Sequence, residues 1–278
     1  MKLWRNERYI MLIDTHCHLE ILLKKFEKKL LSEKEVQQAQ FFIERAKNND
    51  VGMMITIGTN LIDSFNCVAI AKEFPEVYAT VAIHPNDITE KWREDFKQLQ
   101  GLVDAKVINK IVAIGECGID LYHNKETCAL QKDVFRAHID LALEKQLPLV
   151  IHSRNAFDET LAVLDDYKDA PLRGVMHCFA GDLAFAHEVI NRGLYLGIGG
   201  TITYPKNGAL RDVIMHERLG QVVLETDAPF LAPQYKRGQQ NEPAEIKPIA
   251  EYIAQMLNMP LDEVALTTTN NARSLFNI

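Results

Sequence analysis

Two histidines lie two residues apart in the segment Asp14-Thr15-His16-Cys17-His18, which ends a short apolar run. If the run forms a strand, alternate residues point to the same face, so His16 and His18 can direct their imidazoles at one point. Imidazole is the commonest metal-binding side chain in proteins. A bare HxH pattern also occurs in ordinary loops, so a metal site is indicated only if other ligands reach the same place.

Four more candidate ligands stand at the ends of other short apolar runs. They are Glu116 in AIGECGID, His152 in LVIHSR, His177 in GVMHCF and Asp227 in VVLETDAP. Each one alone has an ordinary explanation, such as a helix-capping aspartate or a solvated glutamate. Taken with the HxH pair, they make a set of four imidazoles and two carboxylates that can bind metal wherever the ends of these runs meet.

The apolar runs recur along the whole chain and alternate with segments of helical spacing, which is typical of repeated β–α units. The eight predicted strands are Tyr9–His16, Val51–Ile57, Val77–His84, Ile111–Glu116, Leu149–His152, Gly174–His177, Leu194–Ile198 and Gln221–Glu225. The predicted helices that follow them are Glu33–Asn49, Leu61–Phe74, Lys91–Val107, Glu126–Lys145, Ala156–Tyr167, Leu183–Asn191, Leu210–Arg218 and Ala244–Leu257.

This alternation predicts an α/β fold, a TIM (β/α)8 barrel that forms a single domain over residues 1–278 with a core at about 11–277. A doubly wound open sheet is the alternative, but it would concentrate its ligands at one switch point. In a barrel the strand ends form a ring, so candidate ligands on many strands converge. The segment Leu19–Lys34 is either a helical insertion after the first strand or an amphipathic lid.

Six ligands exceed what one catalytic ion needs while it keeps a position open for water. Two divalent cations share them better, although the ligand types do not distinguish Mg, Mn, Zn, Co and Ni. A carboxylate can bind both ions through its two oxygens. We expect one ion on His16, His18 and Asp227, the other on His152 and His177, and Glu116 bridging them. Paired cations activate a water for hydrolysis, which makes Asp227 and Glu116 the candidate catalytic carboxylates.

Four further residues are candidate substrate contacts. Arg154, two residues beyond His152, can reach a phosphate from the loop beside the metals, with a surface ion pair as the alternative. His123 in GIDLYHN is a candidate oxyanion or phosphate contact. Phe179 and Tyr204 are candidates for stacking on a base or ring, although aromatic residues at barrel rims more often serve packing.

Composition narrows the class of protein. The formal net charge of −7 disfavours a broad cationic face for duplex nucleic acid, although bound dications can still attract a phosphate locally. The five cysteines include no CxxC pair, so neither a disulfide framework nor a cysteine zinc site is expected. No segment is apolar enough for a signal peptide or a membrane span. We therefore expect a cytoplasmic protein with no membrane association.

The order of the motifs resembles the TatD family of metal-dependent deoxyribonucleases, within the amidohydrolase-like barrel superfamily. The similarity runs from about Ile13 to Phe276 and includes DTHCHL, AIHP, AIGECGID, IHSR, MHCF, GIGGTIT, LETDAPFLAP, RGQQNEP and TTTNNARSLF. The resemblance implies a divalent-metal phosphodiesterase that releases nucleotides from DNA ends, typically 3′ to 5′. It also implies a single-stranded DNA or nucleotide substrate with no obligatory protein partner. The family's metal ligands fall on the same six residues.

Two other functions remain open at this stage. The same metal site can attack the carbonyl of an amide or cyclic amide, because a fold does not fix the reaction. A non-catalytic module that only binds metal is the third interpretation. The resemblance favours the phosphodiesterase.

Overall fold

The computed structural model describes residues 11–25 and 27–278. Eight parallel strands form one sheet in chain order, and each strand pairs with the next. They are β1 (Leu12–Cys17), β2 (Val51–Ile57), β3 (Val77–Val81), β4 (Ile111–Asp120), β5 (Leu149–Arg154), β6 (Gly174–Met176), β7 (Tyr195–Ile198) and β8 (Val222–Leu224). Every predicted strand is present, Val51–Ile57 with the predicted bounds and the others with shifted bounds. Tyr9 and Ile10 of the first prediction lie outside the described residues.

The α-helices alternate with the strands and cover the outside of the sheet. They are α1 (Leu19–Lys24), α2 (Glu33–Gln37), α3 (Gln40–Lys47), α4 (Leu61–Glu73), α5 (Trp92–Asp104), α6 (Cys128–Lys145), α7 (Phe157–Asp165), α8 (Leu183–Asn191), α9 (Gly208–Glu217), α10 (Ile246–Leu257) and α11 (Leu261–Phe276). The helix predicted over Glu33–Asn49 is divided into α2 and α3 by a turn at Gln38 and Ala39. None of the helices in the described part of the chain has the length and apolar character needed to span a bilayer.

Hydrogen bonds from β1 to β8 and to the residues directly after β8 bring the two ends of the sheet together. The Thr15 hydroxyl donates to the Leu224 carbonyl at 2.9 Å, and the Thr226 hydroxyl donates to buried Asp14 at 2.6 Å. The Asp227 amide donates to the His16 carbonyl at 2.8 Å. These contacts confirm the predicted TIM barrel and bring the carboxyl end of β8 next to that of β1.

The interior of the barrel is filled by apolar side chains below the strand ends. Val150 and Val175 lie two residues before His152 and His177, on the same strand faces, and both are buried. Helix α11 packs Phe276 against this interior layer. The sequence analysis missed α11 because its Thr-Thr-Thr-Asn-Asn run has low helix propensity, which burial of one face overcomes.

The segment after β1 begins as a docked helix. Leu19 and Leu22 of α1 are buried in the main core, and buried Lys24 forms an ion pair with Asp63 of α4. Helix α1 is therefore the helical part of Leu19–Lys34 after β1, and Ile21, Lys24 and Lys28 of this segment line the cavity at the strand ends.

Candidate metal centre

The six predicted ligands meet at the carboxyl ends of the strands, and each is buried or half-buried. They are His16 in β1, His18 directly after it, Glu116 in β4, His152 in β5, His177 after β6 and Asp227 after β8. A parallel barrel places the ends of all its strands at one face, and for that reason residues more than 200 positions apart come together.

One group of ligand atoms centres on the HxH pair. The Nε2 atoms of His16 and His18 lie 3.3 Å apart. His16 Nε2 is 3.4 Å from Glu116 Oε2 and 3.7 Å from Asp227 Oδ1, and His18 Nε2 is 3.4 Å from the same aspartate oxygen. These four side chains can hold one cation.

A second group lies on the other oxygen of Glu116. His152 Nδ1 is 2.6 Å from Glu116 Oε1, and His177 Nε2 is 3.8 Å from it. His177 Nε2 also lies 4.0 Å from Asp227 Oδ1. The two oxygens of Glu116 therefore face two different groups of ligand atoms, as expected for a bridging carboxylate.

The close approach of β4 and β5 at the site depends on Gly118, which has a φ of +143°. A Cβ at this position would lie 2.0 Å from the His152 carbonyl oxygen. Only glycine adopts this backbone shape without strain, and here it lets the strand that carries Glu116 pack against the strand that carries His152.

The charges of the site fit divalent cations. Burial opposes ionisation of Glu116 and Asp227, but the surrounding histidines outweigh it and hold the pKa of both carboxyls below their usual values. Burial, followed by the proximity of His177, lowers the pKa of His16. Burial opposes protonation of His18, His152 and His177, but the neighbouring carboxylates outweigh it and raise their pKa, to about 9 for His177. In the described part of the chain, neither Glu116 nor Asp227 pairs with a lysine or arginine, so divalent cations can take the place of the protons that balance these carboxylates.

His84, in the AIHP motif after β3, is a site residue that the sequence analysis missed. Its Nε2 lies 3.5 Å from Glu116 Oε1, and its ring centroid is 4.4 Å from that of His152. The Asn86 amide donates to His84 Nδ1 at 3.1 Å, and burial lowers the pKa of the ring. A neutral ring that accepts at Nδ1 carries its proton on Nε2, so His84 presents a donor to the site. Its position after a strand, like that of the predicted ligands, is the sequence feature that could have identified it as a site residue.

Two buried carboxylates hold the metal-facing histidines from behind, and both were missed as well. Asp120 Oδ2 lies 3.2 Å from His152 Nε2. Glu225 Oε1 lies 3.0 Å from His177 Nδ1 and accepts from the Cys178 amide at 2.6 Å. Such partners fix the tautomer and orientation of a ligating imidazole. Glu225 stands two residues before Asp227 in LETDAP, but the sequence alone does not tell which carboxylate faces the metal.

Glu225→Gln is expected to weaken metal binding by about 10- to 100-fold, because it removes the charge behind His177 while keeping the side-chain volume. The measurement is metal affinity by equilibrium titration, with the melting temperature of the metal-free protein recorded on the same sample. Glu188→Gln is the matched control, because Glu188 pairs with Arg192 on the surface. Unchanged metal affinity together with a lower melting temperature would assign Glu225 to folding alone.

A cavity of about 510 Å³ is lined by five of the six ligands, all except His16. Arg154 and His123, two of the predicted substrate contacts, also line it. The Arg154 guanidinium lies 4.7 Å from the Tyr122 ring centroid, and no described carboxylate forms an ion pair with it. His123 Nδ1 lies 2.8 Å from Asp120. Both side chains can therefore meet an anion in the cavity.

The two predicted stacking residues are placed differently. Phe179 is only 1% exposed and stacks on Phe185 with 5.5 Å between ring centroids. Tyr204 donates its hydroxyl to the Ala232 carbonyl at 2.8 Å and is covered by Arg237. Neither residue lines the cavity among the residues described there. Core packing holds the Phe179 ring and a backbone hydrogen bond holds Tyr204, so the stacking role of these two residues stays a prediction that their placement does not support.

A TIM barrel whose strand ends gather imidazoles and carboxylates around one cavity defines the class of metal-dependent hydrolases. Comparison with known proteins narrows the class. The family model described as TatD related DNase matches residues 13–277. The chain belongs to the TatD family.

Individual relatives agree over nearly the whole chain. The uncharacterized metal-dependent hydrolase YabD of Bacillus subtilis strain 168 is 34% identical over 268 residues, which is 96% of this chain and 100% of YabD. The 3′-5′ ssDNA/RNA exonuclease TatD of Citrobacter rodentium is 34% identical over 254 residues, covering 90% and 95% of the two chains. The crystal structure of YjjV, a TatD homolog from Escherichia coli K12, aligns with a TM-score of 0.85 at 29% identity over 97% and 99% of the chains.

Proposed function

We propose that this hydrolase is a phosphodiesterase that uses two divalent cations to release nucleotides from single-stranded DNA ends, in the 3′ to 5′ direction. The observation that carries the proposal is Glu116, whose two oxygens face two groups of ligand atoms beneath a cavity that also contains Arg154. The relative from Citrobacter rodentium, named as a 3′-5′ ssDNA/RNA exonuclease, supports the substrate class.

When bound, the two cations would lower the pKa of a water and stabilise the charge that develops on the phosphate oxygens. The first would be held by His16, His18 and Asp227, the second by His152 and His177, with Glu116 shared. The residues around them supply the remaining steps. Asp227 is ionised, so it can accept the proton of the attacking water. His84 Nε2 and the Arg154 guanidinium are donors for the phosphate, and Asp120 orients His123 beside them.

Hydrolysis of an amide is the weaker candidate. A neutral amide leaves Arg154 without an anionic partner, whereas a phosphodiester offers oxygens that match the planar guanidinium. The cavity therefore favours the phosphodiester.

The test is hydrolysis of single-stranded DNA labelled at either end, with Mg, Mn, Zn, Co and Ni compared and a set of amides assayed in parallel. We expect stepwise loss of single nucleotides from the 3′ end and no turnover of amides. Turnover of amides with intact DNA would replace this proposal with the amidohydrolase function.

Arg154→Ala is expected to lower kcat/KM, because it removes a charge-assisted contact to the phosphate. The decrease should correspond to a loss of about 1.5–3 kcal/mol of transition-state stabilisation. The metal content should stay unchanged, because Arg154 binds none of the ligand side chains directly. Arg136→Ala is the control, since Arg136 pairs with Asp166 on the surface. If kcat/KM matches that of the control, Arg154 has no part in substrate binding.

A further inference from the structure

Two large apolar side chains remain exposed beside the candidate metal centre. Phe230 and Leu231 are each 38% exposed, and both line the cavity. We call this pair the Phe230–Leu231 platform. Most other lining residues are polar or charged, and an exposed apolar pair surrounded by polar groups is characteristic of a ligand-binding surface.

The backbone under the platform is firmly held. The Phe230 amide donates to the Asp227 carbonyl at 2.8 Å. The buried Asn241 side chain donates to the carbonyls of Phe230 and Thr226 at 2.7 and 2.8 Å. The platform is therefore part of the same turn as Asp227, a candidate metal ligand, and these hydrogen bonds fix its position relative to that ligand.

Leu231 adopts a left-handed backbone conformation with a φ of +49°, which large side chains rarely adopt. Gly200 permits this turn to pack closely, because a Cβ at Gly200 would lie 2.5 Å from the Leu231 carbonyl oxygen. Strained residues persist where the surrounding structure holds them, and they are concentrated at ligand-binding sites. The conformation of this turn therefore holds the Leu231 side chain in its exposed position.

The platform lies next to the metal-ligand set. The Phe230 ring contacts His18 edge to face, with 5.9 Å between the ring centroids. Arg154 on β5 also lines the cavity, and β6 and β7 separate its strand from β8, which precedes Phe230. A ligand in the cavity can therefore contact an apolar surface, the Arg154 guanidinium and the candidate metal ligands.

We propose that the Phe230–Leu231 platform binds the nucleobase of the terminal nucleotide, whose phosphate lies at the metal centre. A nucleotide combines a flat aromatic base, which can stack on an apolar surface, with a phosphate, which can bind at the metal centre. Aromatic stacking accepts every base, so the platform would recognise the end of the chain without strong sequence preference. The proposal rests on the proposed function and names the group that the cavity recognises beside the phosphate.

Binding measurements test the platform without relying on catalysis. Deoxyadenosine 5′-monophosphate and 2-deoxyribose 5-phosphate carry the same phosphate and sugar and differ in the base. With manganese-loaded protein, equilibrium titration should give about tenfold or greater preference for the nucleotide, within the range known for one stacked base. Phe230→Ala should reduce this preference to nearly one, whereas Phe230→Tyr, which keeps the ring, should retain it.

Phe65→Ala is the matched control, because Phe65 is 37% exposed on α4 and does not line the cavity. It should leave the preference for the nucleotide intact. A wild-type preference near one, or a preference that survives Phe230→Ala, overturns the platform. If the proposed function is wrong, single-stranded DNA stays intact in the hydrolysis assay. The two titrations do not depend on that result and still decide whether the platform binds a base.

Discussion

Replacement of Asp227 by Asn is expected to lower kcat by about 10²- to 10⁴-fold, the usual range for a positioned acid–base group, while the fold is retained. The Asp227 Oδ1 atom lies 3.4 Å from His18 Nε2 and 3.7 Å from His16 Nε2. Asparagine keeps the shape and a neutral carbonyl ligand but cannot accept a proton from water. Partial loss of metal should accompany the loss of turnover.

The measurements are kcat, bound metal and melting temperature on one Asp227→Asn sample. The alternative from the sequence was a helix-capping role, in which Asn replaces Asp with little effect. No helix begins at Asp227 in the described chain, whereas Asp182 does cap α8 by accepting from the Phe185 amide at 3.0 Å. Asp182→Asn is therefore the matched control. Near-normal kcat at full metal occupancy would remove Asp227 from the mechanism.

Chelation of divalent cations is expected to abolish hydrolysis, and their return should restore it. Folding should largely survive, because the ligands lie at one end of the barrel above an apolar interior that packs independently of them. The measurements are activity and circular dichroism before and after chelation. Unchanged hydrolysis by a sample shown to be metal-free would end the proposal of metal catalysis.

Back-titration of the same metal-free sample tests the number of cations. Two equivalents per chain are expected for the dinuclear arrangement, with recovery of activity following the second. His18→Ala should reduce binding toward one equivalent, because His18 contacts only the first group of ligand atoms. Saturation of the wild-type protein at one equivalent would replace the two-cation arrangement with a single ion.

Much of the fold and the ligand set is determined by local features of the sequence. Apolar runs such as Val51–Ile57, which the structure reproduces with the same bounds, predict buried parallel strands because both faces must be apolar. A candidate metal ligand such as His152 or His177 is recognisable because it stands at the carboxyl end of such a run. Once eight β–α units are counted, the geometry of the barrel brings these ends together without further information.

Other features of the site were decided only by tertiary packing. Phe179 and Phe230 are both phenylalanines in loops after strands, yet the first packs into the core and the second lines the cavity. His84 presents a donor because Asn86 fixes its tautomer, and Glu225 holds His177 from behind instead of joining the metal-facing set. Residue type and spacing define what a side chain can bind. Contacts between segments far apart in the chain decide whether that side chain is buried and which of its atoms are already hydrogen-bonded. The contact of Asn241 with the turn at Phe230 is one example.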